Sequence, residues 1–536
     1  MSGTDAGSAG AAGPGGSGSG GSGTGRPDAR QGDPRRTRDR AAGLNGRVSS
    51  GRSSQSRTRD LDQSSAEAES FAGLLPPRFV VGVATSAFQI EGAVHEGGRE
   101  LSVWDDFTAQ PGRILGGANA DVAADHYGRL SEDVALMADL GIDSYRFSFG
   151  WPRLQPRGSG SLNREGVAFY DRLLDELLAA GISPMATLFH WDTPVELRGS
   201  WLNRDTAHRF GDYAYEVGEV FGDRIANWVT INEPATVMLN GYALGIHAPG
   251  TTLLFDAVAA GHNQLLGHGL AVQALRAAGV SGGIGISNVY SPVQPVTSSD
   301  DDVAFAGLFD VLHNHMFGDA VLRGTYPVVA DEFARLLRPL VEADEADLAI
   351  IHQPLDFYGV NYYFPTRIAS GPGGVGSPDG DASAMTSLPF HLGAWPEFES
   401  TGFRWPNAPE FLAVALAELA ERYGDTLPPV FITEGGMSSR DAVVLDARTG
   451  VAQIADHARI DYLSNHIASA LAATSVGGSA EGVELRGYYV WSLLDNFEWA
   501  AGFSQRFGLV HVDFTTLDRT PKSSFGWLRS VLESRL

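Results

Sequence analysis

Cysteine is missing from this sequence altogether, and lysine occurs once, as Lys522. Without thiols there can be no disulfide, thiolate nucleophile, iron–sulfur cluster or cysteine-ligated zinc, and the redox compartment is left open. Long apolar runs are missing too: none reaches the ~18 residues that a membrane span requires. Positive charge is scarce. Lys and Arg together number 39 against 64 Asp and Glu, a formal charge of -25. Such a field repels phosphate backbones and anionic lipid, so neither nucleic acid nor a membrane surface is an expected partner. What the 536 residues do have is 43% apolar and 10% aromatic side chains, enough for a large buried core.

The N-terminal stretch differs in kind from the rest. Residues 1–25 are mostly Gly, Ser and Ala, and residues 26–60 are rich in Arg, Asp, Ser and Gly. A segment of this composition cannot bury enough surface to offset its ordering entropy. Residues 1–70 are therefore expected to be a disordered tail, a solvated extension rather than an anion-binding arm. Arg35 and Arg36 form a twin-arginine pair, but no apolar region follows them, so no export signal is expected and the expected location is cytoplasmic. The tail holds ten arginines and eight acidic residues, which leaves the acidity to residues 71–536.

From Phe79 onward short β-prone runs alternate with helical patterns, as in a parallel sheet with helical crossovers. Eight such runs are present: Phe79–Ala84, Ser144–Phe149, Pro184–Phe189, Trp228–Ile231, Ile284–Val289, Phe357–Val360, Val430–Thr433 and Gly487–Ser492. Helical patterns at Glu132–Leu140, Gly166–Ala180 and Phe411–Tyr423 each stop at a glycine, Gly141, Gly181 and Gly424. Eight strands with crossovers predict an α/β fold closed as a (β/α)8 TIM barrel with enlarged loops. The competing open doubly wound sheet lacks its glycine-rich dinucleotide turn. Residues 71–536 fit one barrel domain, since such barrels grow from ~250 to beyond ~400 residues by loop insertion. Ser370–Ser387 is predicted to be a surface loop.

Barrels of this type place their chemistry at the carboxyl ends of the strands. There the sequence is polar and aromatic: Gln89 and Glu91, Arg146, His190 and Trp191, Asn232 and Glu233, Tyr362 and Tyr363, Glu434, then Trp491, Asp495, Glu498 and Trp499. Carboxylates and amides pair with hydroxyls, and indole faces cover the apolar faces of a sugar ring. Glu233, before Pro234, and Glu434, before Gly435 and Gly436, each end a strand run. Glycoside hydrolysis needs two such groups across one bond, one protonated and one ionised. No metal or other cofactor is called for. His313 and His315, spaced i, i+2, fall on different helix faces and do not make a ligand pair.

Nine motifs stand along the chain: FVVGVATSAFQIEG (Phe79–Gly92), Asp125-His126-Tyr127, Tyr145–Ser148, TLFHWD (Thr187–Asp192), INEP (Ile231–Pro234), GVNYY (Gly359–Tyr363), ITEG (Ile432–Gly435), WSLLDNFEW (Trp491–Trp499) and RFGLV (Arg506–Val510). By these motifs, and in their order, the chain from about Leu75 to Leu536 resembles the family 1 glycoside hydrolases, of the β-glucosidase type. The resemblance implies exo-acting hydrolysis of terminal β-glucosyl residues, and of related galactosides and fucosides, through a covalent glycosyl-enzyme. It implies small β-glycosides and cello-oligosaccharides as substrates. By position, Glu233 matches the acid/base and Glu434 the nucleophile. Gln89, His190, Asn232, Tyr363, Trp491, Glu498 and Trp499 match the sugar subsite, with Arg146 and Tyr363 supporting the nucleophile. A retaining pair is expected at roughly 5 to 5.5 Å between carboxyl groups. Gly435 departs from the family's usual Asn, Phe149-Gly150 from Ile-Ser and Gln505 from a frequent Lys. A catalytically silent sugar-binding relative is the alternative, and it is disfavoured by the presence of both glutamates.

Overall fold

The computed structural model describes residues 66–372, 387–441, 443–445 and 452–535. Most of the expected N-terminal tail and the middle of the Ser370–Ser387 loop lie outside the described residues. The boundary at residue 71 is corrected by a short helix over residues 66–72. Its Ala68, Phe71 and Ala72 are buried, and Phe71 packs on Trp527 at 5.3 Å between ring centroids. Side chains at i, i+3 and i+4 share one helix face, a local signal that a composition averaged over the tail conceals.

Eight parallel strands close into a barrel in sequence order. They are β1 (Val80–Ala84), β2 (Ser144–Ser148), β3 (Ser183–Phe189), β4 (Asn227–Asn232), β5 (Gly283–Val289), β6 (Phe357–Asn361), β7 (Val430–Gly435) and β8 (Leu485–Trp491), with β8 pairing back onto β1. All eight runs expected from the sequence are strands, each with ends displaced by no more than two residues. The strands are buried on both faces, and so most read as largely apolar runs; β2, SYRFS, alternates polar and aromatic residues although all five are buried. Helices His126–Leu140, Arg164–Ala179 and Glu410–Tyr423 cover three of the predicted helical patterns, and Gly141 ends the first in the left-handed region at φ 76°.

Inside the barrel Met185, Val229, Phe357, Phe431 and Tyr489 form a floor under the carboxyl ends of the strands. Above it the ladders lose their regular register. The β4–β5 pairing shifts between Val229 and Asn232, and the β6–β7 pairing between Ile432 and Glu434. Such breaks re-aim side chains at a barrel rim. Here they fall on the two strand ends that carry Glu233 and Glu434.

The loop after β8 is tied down by buried ion pairs. Lys522 reaches Asp495 at 2.8 Å and also bonds Asp441, while Arg506 meets Asp495 at 2.9 Å. Burial pushes the Lys522 ammonium below the ordinary lysine range, against the pull of Asp495 and Asp441. Asp125-His126-Tyr127 also serves the framework, with His126 Nδ1 2.8 Å from Asp133.

Candidate active site

Glu434, near the end of β7, has a donor for each carboxylate oxygen. Arg146 of β2 bonds Oε1, and the Tyr363 hydroxyl donates to Oε2 at 2.6 Å. Two donors suit the ionised carboxylate, which can only accept. Glu233 follows β4 in the left-handed region, φ 46°, a conformation costing a non-glycine residue of order 1 kcal/mol that the fold imposes by bonding its N–H to Ser287 O at 2.8 Å. Asn361 donates to its Oε1 at 2.7 Å and Thr236 to its Oε2 at 2.7 Å. Burial and then the charge of Glu434 push the Glu233 carboxyl up to about 7. Both carboxyl groups thus have a donor on each oxygen, but Glu434 is paired with the Arg146 cation and Glu233 with neutral donors only, a difference in environment of the kind that sets paired carboxyl groups apart.

A single amide bridges the pair. Asn232 Oδ1 accepts from Arg146 at 2.6 Å and from Asn361 at 3.0 Å, which turns its Nδ2 toward His190 Nε2 at 3.1 Å. Nε2 must then accept, so the His190 proton sits on Nδ1. That nitrogen has no partner among the described residues. Burial, with Arg146 second, holds His190 well below its ordinary range and keeps the ring neutral. A neutral ring with one free N–H can donate to a ligand hydroxyl.

The aromatic surface forms as the sequence suggests. His190 stacks on Trp491 at 5.8 Å and on Trp499 at 6.0 Å, and Trp499 packs against Trp191 at 4.3 Å. Across the cavity Trp405 stacks on Phe403 at 4.5 Å and faces Tyr363 at 5.7 Å. His190, Glu233, Tyr363, Glu434, Trp491, Glu498 and Trp499 all line one cavity of about 980 Å³. Burial, then the charges of Glu434 and Glu233, raise the Glu498 carboxyl well above the usual range.

Other expected residues stand back from the cavity. Arg146 and Asn232 form the layer behind it. Gln89 lies behind Glu498, donating to its Oε2 at 3.1 Å and to Asn496 and Phe497 at 3.0 Å. Glu91 is engaged with Arg153 at 2.7 Å and Tyr170 at 2.5 Å, Asp495 belongs to the Lys522 network, and the Tyr362 hydroxyl donates to Ala408 O at 2.8 Å. These three take part in packing and not in the cavity wall. His313 bonds Asn314 at 2.9 Å in the cavity wall and His315 meets Asp310 at 3.5 Å, and among the described residues no cluster of three or more His, Asp or Glu could hold a metal.

Sequence reasoning missed Asn361 and Thr236. Asn361 sits inside the GVNYY motif at the end of β6, from which it reaches Asn232 and Glu233 across β5. Gly435 has a tertiary reason: a Cβ there would lie 2.2 Å from the Tyr488 hydroxyl, so the missing side chain is matched by a tyrosine beneath it. Phe149 is fully buried, stacked on Phe221 at 5.2 Å.

A (β/α)8 barrel presenting one carboxylate held by donors, one proton-holding carboxyl and an indole-walled pocket defines a glycoside hydrolase. The family model for glycosyl hydrolase family 1 matches residues 72–535, and the chain belongs to that family. Beta-glucosidase A of Thermotoga maritima is 39% identical over 462 residues, 86% of this chain and 98% of that protein. Beta-glucosidase A of Acetivibrio thermocellus is 40% identical over 461 residues, again 86% of this chain and 98% of the relative. The solved family 1 β-glucosidase of Thermotoga maritima in complex with isofagomine lactam superposes with a TM-score of 0.77 at 38% identity, covering 86% of this chain and 99% of that one.

Proposed function

We propose that this β-glucosidase removes terminal non-reducing β-D-glucosyl residues, and related galactosyl and fucosyl residues, from small β-glycosides and cello-oligosaccharides with retention of configuration. The observation that carries this reading is that Glu233 and Glu434 line one cavity with different partners, Arg146 and Tyr363 on Glu434 and the neutral Asn361 and Thr236 on Glu233. Glu434 attacks the anomeric carbon while Glu233 gives its proton to the glycosidic oxygen, so the bond to the leaving group breaks and a glycosyl ester forms. Esterification removes the Glu434 charge, which together with burial kept Glu233 protonated. Glu233 then takes a proton from water as that water attacks the same carbon, and cleavage of the ester regenerates Glu434.

Asn232 and Arg146 hold the catalytic pair in register, and the His190 Nδ1–H donates to a hydroxyl of the bound sugar. Trp491 and Trp499 cover its apolar face. Glu498, hydrogen-bonded by Gln89, accepts from hydroxyls remote from the anomeric centre. The silent relative is the weaker reading because both glutamates and their donors are in place.

Nitrophenol release from 4-nitrophenyl β-D-glucoside, with the first-formed sugar anomer followed by NMR, tests both claims. The β-anomer of glucose is expected first. No release from any simple nitrophenyl β-hexoside would end the enzyme reading, and an initial α-anomer would end the retaining one.

A further inference from the structure

The cavity continues well past the space a single hexose fills between Glu233 and Trp491. Its volume of about 980 Å³ stands at the upper end of the ~300–1,000 Å³ found for pockets of drug-sized ligands. Beyond the two glutamates its wall is predominantly aliphatic and aromatic, with Met238, Leu239, Phe255, Phe309, Leu312 and Phe390 among the lining side chains. Two of these elements, Val237–Ala243 and Val311–His315, are wound with i→i+5 bonds, a local distortion that recurs at functional sites. A second glucose, with hydroxyls around its whole edge, gains less against such a wall than an apolar group of the same size.

At the mouth the character changes. Arg404 and Arg440 line the cavity and are exposed, and neither guanidinium has a hydrogen-bond or ion-pair partner among the described residues. They belong to different loops, drawn to one rim where Gly402 N–H donates to Ser438 O at 2.8 Å and Phe403 N–H to Ser438 Oγ at 2.9 Å. A third arginine of the lining, Arg113, is already bonded to Gln110 at 3.2 Å and to Gly245 O at 3.1 Å. The neighbouring acid Asp441 is taken by Lys522 and Arg459. Among the described residues, acidic side chains line this cavity only as Glu233, Glu434 and Glu498, all buried at its inner end. In a chain of formal charge -25, the described part of the entrance thus presents uncompensated positive charge.

Resting on the assignment of Glu233 and Glu434 to the cleavage step, we propose that the favoured leaving groups are apolar alcohols or phenols ending in an anionic group, a carboxylate or a sulfate. The apolar body occupies the chamber. The anion reaches Arg404 and Arg440, whose planar guanidinium groups match its oxygens.

The test compares kcat/KM for 4-carboxyphenyl β-D-glucoside and a series of ω-carboxyalkyl β-D-glucosides of increasing length, each against its methyl ester and against cellobiose. At the best-fitting length the free acid is expected to exceed its ester by about tenfold, since two exposed ion pairs each contribute a few-fold. The advantage should shrink with added salt. In the double variant R404Q/R440Q the acid-to-ester ratio should fall to about one. Esters that match or beat their acids at every length, or a ratio unmoved by the double variant or by salt, would overturn the proposal. A matching sulfate series separates general anion recognition from carboxylate recognition, and either result supports the proposal. If the double variant fails to fold, the single variants and the wild-type salt titration decide. Loss of cleavage of 4-nitrophenyl β-D-glucoside by wild type is a different failure, that of the glycosidase assignment itself.

Discussion

Asn361 holds Glu233 from the end of β6, across the intervening strand β5: its amide donates to Oε1 at 2.7 Å and, with the same nitrogen, to Asn232 Oδ1 at 3.0 Å. Its own Oδ1 accepts from Thr433 at 2.7 Å, one residue before Glu434. The amide therefore aims the acid and also favours its charged form. N361A is expected to lower kcat by about 10- to 100-fold with little change in KM, the loss of one buried aligning hydrogen bond. Removing a donor that lowers the Glu233 carboxyl should move the alkaline limb of the kcat profile to higher pH. A pH profile that does not shift would show that Asn361 only fills space.

Glu434 and Glu233 are distinguished by what an added nucleophile does. E434A should lose about ten-thousand-fold or more in hydrolysis, and azide should then yield the α-glycosyl azide, because a single displacement inverts the centre. E233A should retain ester formation from substrates with activated leaving groups, and azide should give the β-product. NMR of the two products checks the assignment, and the same anomer from both variants would refute it.

The upward shift of Glu233 also has a consequence for folding. Burial and the Glu434 charge carry it from 4.5 to about 7, so the folded protein binds this proton more tightly than the unfolded chain does. Its contribution to stability is intact below pH 4.5 and is lost as pH rises through 7. E233Q, neutral throughout, should match wild type near pH 4 and exceed it at pH 8 by on the order of 3 kcal/mol. Thermal melts of both proteins across this range provide the measurement, and parallel curves would contradict it. Activity of the wild type should fall above pH 7 as the acid is lost.

Lys522 bears on the site at a distance. It is the chain's one lysine, 2% exposed, and it neutralises Asp495 and Asp441 beneath the loop that carries Glu498. K522M leaves these carboxylates short of a partner and should cost about 3 kcal/mol, the usual penalty for breaking a buried pair from one side. The expected readout is a melting temperature lowered by several degrees. A melting temperature unchanged in K522M would mean that Arg506 and Arg459 suffice for the two aspartates.

Sequence reasoning by itself reached the eight strands, their closure and the two glutamates. Each of these follows from local pattern: a strand buried on both faces is written as an apolar run, and a residue before Pro or Gly at its end must lie at the rim. The ordered motifs led from there to the family. Tertiary structure alone decided which rim residues meet. Glu91, Tyr362 and Asp495 sit at strand ends like Glu233, yet closure turns them onto Arg153, Ala408 and Lys522. Asn361 joins the site from the end of β6, reaching Glu233 across β5, whereas Thr236 joins it locally, three residues after Glu233. The rim formed by Arg404 and Arg440 depends on two loops meeting at Ser438. A one-dimensional pattern records which faces are buried. Which side chains face each other across a closed barrel is set by register and loop contacts between residues far apart in the chain.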